Sequence, residues 1–191
     1  MMRFIRRTVA LLLGVAAVTG ARAADTYKID PAHTTVGFTI THLVISEVSG
    51  RFNDVAGTVT VDSDALTGAS ATIQVKSVDT AIKKRDDHLR GADFFDAEKY
   101  PTITFESTKV TKDGDKTVIA GKFTMHGVTK EIQFPVVLKG PVKDPWGSTR
   151  IAVTAETTVN RTDYGMKPTM GVGDDVKIRI TAEATKAEEK K

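Results

Sequence analysis

The chain contains four histidines, His33, His42, His88 and His126, and no two stand at the HxH or HxxxH spacing that brings imidazoles onto one metal. A metal site would need them to converge from distant parts of the chain; the simpler reading gives each a local hydrogen bond at a strand end. His88, Arg90 and Asp93 share one stretch, close enough for a general acid–base group, although charges in a connection are more often solvated or cap a short helix. Arg51, Arg90, Arg161 and Asp163 sit at the ends of apolar runs. Arginine's planar fork suits phosphate, so Arg51, Arg90 and Arg161, with His33 and His88, are candidates for holding a polar head group at the rim of an apolar site. Their alternative role is to tie strand ends together through Asp54 or Asp163. No GxSxG elbow, phosphate loop, zincin helix or dinucleotide fingerprint is present. The chain has no cysteine, which excludes thiol catalysis, thiolate metal sites and iron–sulfur clusters. Nothing in these residues asks for a metal or a cofactor.

These side chains can act only where the rest of the chain places them, and the first residues bear on compartment. Arg3, Arg6 and Arg7 form a basic start, residues 9–18 are apolar, and Ala21-Arg22-Ala23 is a small-residue cleavage site, the pattern of a secretory signal peptide over residues 1–23. The apolar run is shorter than the roughly 20 residues needed to cross a bilayer. Setting aside these 23 residues leaves 168 of the 191, one domain's worth, expected over residues 24–185 with a charged tail, "KAEEKK", at 186–191. The leader holds four of the 27 Lys and Arg and no acid, leaving 23 cations against 24 Asp and Glu, a formal charge of −1. The basicity of the whole chain belongs to the leader, and no basic stripe is left for a nucleic acid. An exported chain without disulfides must hold itself together by burying apolar surface.

Beyond the leader, period-two alternation rich in Val, Ile, Thr and Phe dominates. "TVGFTI" sets Val36, Phe38 and Ile40 on one face, "SATIQVKS" sets Ala71, Ile73 and Val75, and "TITFES" sets Ile103 and Phe105. "VTKEIQFPVVL" aligns Ile132, Phe134 and Val136 with Val128 and Lys130, "RIAVTAETTV" aligns Ile151, Val153 and Ala155, and "VKIRITAEA" aligns Val176, Ile178 and Ile180. "DGD" at Asp113 reads as a hairpin turn into a further strand, "KTVIAGKFTM". With one long segment over residues 46–61, eight strand candidates follow one another, nearly all through short turns. One stretch breaks the pattern: "TAIKKRDDHLRGADFFDAEKY" is charge-rich and unalternating, a short helical connection between strands three and four that Gly91 would end and Pro101 would follow as the first residue of a strand.

Eight antiparallel strands with one apolar face close most economically into an up-and-down barrel, because closure removes exposed edges. A strand of about 11 residues reaches roughly 36 Å, or about 28 Å along a barrel axis tilted by about 40°. The inward set is mostly Val, Ile, Ala and Thr with few rings, which predicts a deep, hollow, apolar tube. Phe94, Phe95 and Tyr100 gather on the long connection, either as a lid over its mouth or as packing where small residues leave room. The candidate cavity residues are Val36, Phe38, Ile40, Ile73, Val75, Phe94, Phe95, Phe105, Phe134, Val136, Ile151, Val153, Met166 and Ile178.

Six stretches in order, "YKIDPAHTTVGFTITHL", "VSGRFNDVAGTVTVD", "HLRGADFFDAEKYPTITFES", "GKFTMHGVTKEIQFPV", "RTDYGM" and "VGDDVKIRI", carry a family likeness across nearly all of the chain after the leader. On them the chain resembles the YceI family of exported lipocalin-like proteins. It departs from the family pattern at Val44, where a glycine often follows "HL", and at Gly91, where a serine often precedes "DFFD" by two. The resemblance implies an all-β, eight-stranded barrel in the bacterial periplasm whose apolar cavity binds a polyisoprenoid, a prenyl quinone or another fatty chain. The leading expectation is thus a periplasmic lipid carrier or scavenger with no membrane span and no nucleic-acid partner, and the pattern is compatible with a homodimer. A barrel enzyme using His88 or His126 on a lipid or prenyl substrate is the alternative. An outer-membrane barrel would need apolar outward faces and aromatic girdles, against which one Trp and three Tyr speak.

Overall fold

A computed structural model of the protein describes residues 24–187; the expected signal peptide and most of the expected tail lie outside these residues. The elements run β1 (Asp25–His42), β2 (Ser46–Phe52), β3 (Val55–Asp62), β4 (Ala65–Gln74), β5 (Val78–Asp79), α1 (Lys83–Arg90), β6 (Thr102–Asp113), β7 (Lys116–Met125), β8 (Val128–Lys143), β9 (Thr149–Asn160) and β10 (Val172–Lys186). All pairings are antiparallel, and β10 returns to β1. Eight strands, β1, β3, β4 and β6 to β10, thereby close a barrel. The last strand pairs Lys186 with Tyr27, so the barrel takes the first residue of the expected tail.

The segment expected as one strand over residues 46–61 is two. Asn53 and Asp54, both weak strand formers, leave the ladder: the Asn53 N–H donates to the Ser77 carbonyl, its side-chain amide to Asp79, and the Asp54 carbonyl accepts from Gln74. The break divides the partners of β1. Its first residues, Asp25–Lys28, pair with β3, while Val36 to His42 pair with β2. The two-residue β5 joins the other edge of β2, and the chain then enters α1. Arg90 holds the helix to this edge by donating to the Lys76 and Val78 carbonyls, and the Gly91 N–H closes it on His88. Pro101 stands just before β6 and not inside it; its carbonyl accepts from Val75.

Buried side chains fall into two clusters. One, around Tyr27, Val59, Val61, Leu66, Ile119, Ile151 and Ala184, fills the end of the barrel opposite α1. The other, around Phe52, Ile73, Val75, Ile103, Phe123, Tyr164 and Met166, lies towards the α1 end. Phe105, Ile132 and Ile180 touch both clusters and are only half-buried, although the register puts them in inward rows. Outward rows carry charge: Glu106, Lys122 and Glu131 sit opposite one another across β6, β7 and β8, and Arg179 opposite Glu156. A wall so charged faces water and not lipid.

Candidate functional site

The inward rows of Val, Ile, Ala and Phe do not meet in the middle. Between the two clusters lies a cavity that admits the centre of a water-sized sphere over about 210 Å³, within about 1640 Å³ of atom-free space when its mouth is counted. Small residues in inward rows make the room: Ala69, Ala71, Ala155 and Ala182 are all in the wall. Two glycines in inward rows let rings lie flat beside them. A Cβ on Gly50 would run into the Phe38 ring, and one on Gly121 would stand 2.7 Å from the Phe105 ring, closer than side-chain carbons come.

Val36, Phe38, Ile40, Ile73, Phe94, Phe95, Phe105, Phe134, Val136, Val153, Met166 and Ile178 all line this space. Val75 and Ile151 do not. Val75 opens a 3-10 turn and is buried among its neighbours, and Ile151 lies one inward step nearer the filled end than Val153. Alternation alone overlooked Phe52, Leu89, Phe123 and Met125, which also line it. Phe52 could have been found from "VSGRF", where Val48, Gly50 and Phe52 alternate. It links Phe38 and Phe95, with ring centroids 5.7 Å away on both sides. Of the three rings on the long connection, Phe94 and Phe95 reach the cavity. Tyr100 instead packs 4.5 Å from the His126 ring, over Gly127.

The polar candidates do not converge. His33 lies on an irregular stretch of β1 and bonds Asp30 at 2.9 Å, next to Arg150 near the filled end of the barrel. Arg51 pairs with Asp79, not with Asp54 or Asp163. His88 meets Asp93 at 3.4 Å with side chains 61% and 76% exposed, and its ring packs edge-on against Phe94. Arg90 is committed to the backbone carbonyls that hold α1 and to Asp87. Arg161 alone lines the cavity, and it is 2% exposed. Its Nε donates to the Gly173 carbonyl at 2.9 Å, Nη1 to Lys167 at 2.6 Å, and Nη2 to Val172 at 3.4 Å and to Asp174 Oδ1 at 2.8 Å. These bonds lock the loop after β9 onto the start of β10.

No side-chain polar atom buried among the described residues lacks a partner; Thr58 and Ser70 in the wall, for instance, bond each other at 2.9 Å. The cavity therefore offers water nothing to hold, and a site of that kind stays dry or takes an apolar guest. Electrostatic perturbation lies elsewhere. At the filled end, hydrogen bonds from Arg150 and His33 hold the Asp30 carboxyl down to about 2, and Arg150 likewise lowers Asp144. Burial raises the Tyr164 phenol. Among the described residues, no group of three His, Asp or Glu is placed to hold a metal.

Similarity to known proteins follows the same architecture. A solved structure of Burkholderia cenocepacia BcnA superposes with a TM-score of 0.73 at 25% identity, covering 82% of this chain and 99% of that one. A polyisoprenoid binding domain from Saccharophagus degradans, implicated in plant cell wall breakdown, shares the fold at a TM-score of 0.63 and 17% identity, over 84% and 98% of the two chains. Protein YceI of Escherichia coli O157:H7 is 41% identical over 169 residues, 86% of this chain and 88% of that protein. The model of the YceI-like domain matches residues 27–184, from the first inward tyrosine of β1 to the last buried alanine of β10, and the chain belongs to that family.

Proposed function

We propose that the protein binds the apolar tail of a polyisoprenoid, a prenyl quinone or a similar fatty chain, and that after removal of residues 1–23 it carries or sequesters that lipid in the periplasm. The observation that carries the reading is the apolar-walled cavity between two packed clusters. At about 24 cal/mol per Å³, leaving 210 Å³ empty forgoes roughly 5 kcal/mol of packing, which larger side chains in place of the wall alanines would have recovered. A guest recovers it instead. At about 30 Å³ for each water-sized group, the 1640 Å³ that includes the mouth and the solvent beyond it sets an upper bound of about 50 heavy atoms on what the space can take. Tail length also sets affinity: burying about 300 Å² of chain is worth roughly 7 kcal/mol, of which association removes at least about 4 kcal/mol, so a short tail binds weakly.

The likeness to a domain described as polyisoprenoid binding supports the same ligand class. Binding is favoured over catalysis because His88 and Asp93, the pair closest to acid–base spacing, are both mostly exposed and the cavity wall holds no free acid or base. The test is mass spectrometry of organic extracts from natively purified protein, alongside Val153→Asp. Val153 lines the cavity opposite Leu138, and a carboxylate there has no partner. A prenyl or acyl species in the wild-type extract, lost from the folded variant, is the expected result. Equal lipid in both would refute the site, and an intact mass retaining the leader would refute the processing.

A further inference from the structure

The barrel carries an apolar tip where apolar side chains have no packing role. The turn between β1 and β2 spans residues 42–45, closed by the Ile45 N–H on the His42 carbonyl at 3.3 Å. Both central residues are left-handed, Leu43 at φ 51° and Val44 at φ 65°. Such a hairpin turn calls for Asn-Gly or Asp-Gly, and a β-branched residue at positive φ is an outlier. The β1–β2 ladder holds the turn from one side, and the Leu43 N–H donates at 2.7 Å to the Gly171 carbonyl from the other. Gly171, at φ 78°, leaves room for the Leu43 side chain, which a Cβ there would meet at 2.7 Å. The result displays Leu43 at 56%, Val44 at 93%, Ile45 at 85% and Met170 at 99% exposure.

Two facts indicate what this tip meets. It is continuous with the cavity: Ile40 near the end of β1, Val172 at the start of β10 and Met166 in the loop between β9 and β10 all line the wall. It also carries a cation without a partner. Lys167 is exposed and makes no side-chain bond or ion pair among the described residues; of the nearby acids, Glu47 and Asp174 are held by Lys177 and Arg161, and Asp175 accepts a hydrogen bond from the Asn160 amide. A stable protein interface needs about 20–30 residues a side, and four side chains on two protruding turns fall far short. They suit shallow insertion among lipid head groups, with a cation drawn to anionic ones.

We propose that this tip docks the barrel on a bilayer surface bearing anionic head groups, so that a tail enters or leaves the cavity between the two loops without crossing water. The inference rests on the lipid-binding reading of the cavity, and its test separates the two. Purified protein is sedimented with phosphatidylethanolamine–phosphatidylglycerol vesicles, with no other ligand, as wild type and as Val44→Asn/Ile45→Gln/Met170→Gln. None of these residues lines the cavity, and Asn suits the left-handed position 44, so the unfolding midpoint is not expected to fall. The triple variant is expected to lose roughly tenfold or more in vesicle partitioning. Lys167→Gln is expected to weaken binding to these vesicles but not to neutral phosphatidylcholine ones. Transfer of a fluorescent prenyl analogue from vesicles is expected to slow in the triple variant, while its uptake from detergent stays the same. Equal sedimentation of wild type and variant, or none by either, overturns the docking proposal, as does a wild-type dimer that the variant abolishes. Absence of uptake from detergent by the wild type refutes the cavity reading and leaves docking to stand or fall on sedimentation.

Discussion

Replacing Arg161 with methionine separates a structural cation from a head-group receptor. The substitution keeps an unbranched apolar stem and removes four donated hydrogen bonds, three of them to backbone carbonyls of Lys167, Val172 and Gly173. The 2.9 Å and 2.6 Å bonds dominate; each carbonyl left unsatisfied in a buried site costs about 1–3 kcal/mol. Asp174 is 43% exposed at its side chain, so water replaces its partner and adds little. The expected loss is about 3–5 kcal/mol, in line with breaking a buried pair and a large share of a typical 5–15 kcal/mol. Urea unfolding followed by circular dichroism reads it as a lower midpoint with an unchanged slope. Arg161→Lys is expected to recover only part, since one ammonium cannot span acceptors that a planar fork reaches. Ligand selectivity is the second readout: diphosphate- and alcohol-headed prenyl analogues are expected to lose affinity equally. A stability loss below about 1 kcal/mol, or a selective loss of the diphosphate form, would refute the assignment of this guanidinium to the fold.

The two rings on the long connection are expected to behave differently. Phe95 packs on Phe52 and the buried cluster, so Phe95→Ala is expected to cost about 2 kcal/mol, below the roughly 3–5 kcal/mol of a fully buried ring. Phe94, against the exposed His88 ring, is expected to cost less than about 1 kcal/mol and mainly to speed release of a fluorescent prenyl analogue; unchanged release from both variants would remove them from the exit path. Acid stability has a signed expectation as well. The Asp30 carboxyl is depressed from 3.8 to about 2 in the fold, so its contribution is complete above pH 3.8 and is lost as pH falls towards about 2. Urea midpoints of wild type and Asp30→Asn are expected to differ at pH 5 and to converge near pH 2, and a pH-independent gap would contradict the ion-pair account.

The eight strands of the barrel, its closure and the inward rows were legible in the sequence because a strand's side chains alternate with period two and each hairpin turn is local. Residues such as Phe38, Phe105, Phe134, Val153 and Ile178 follow from that arithmetic alone, as does the helical interruption at Lys83–Arg90, where alternation stops. What alternation cannot carry is where an inward row ends or which distant groups meet. Val75 and Ile151 obey the pattern yet miss the cavity, because a turn rotates one and the filled end of the barrel takes the other. The break at Asn53 and Asp54 depends on partners at Gln74, Ser77 and Asp79. The head-group candidates failed as a set for the same reason. His33, Arg51, His88, Arg90 and Arg161 share charge and position near strand ends, but only closure of the barrel decides which end each occupies. Hydrogen bonds to carbonyls many residues away then decide that Arg161 serves the backbone. The cavity itself is a tertiary fact: it exists because alanines on β4, β9 and β10 all fall in inward rows of one closed ring, a coincidence of registers that no single stretch of sequence records.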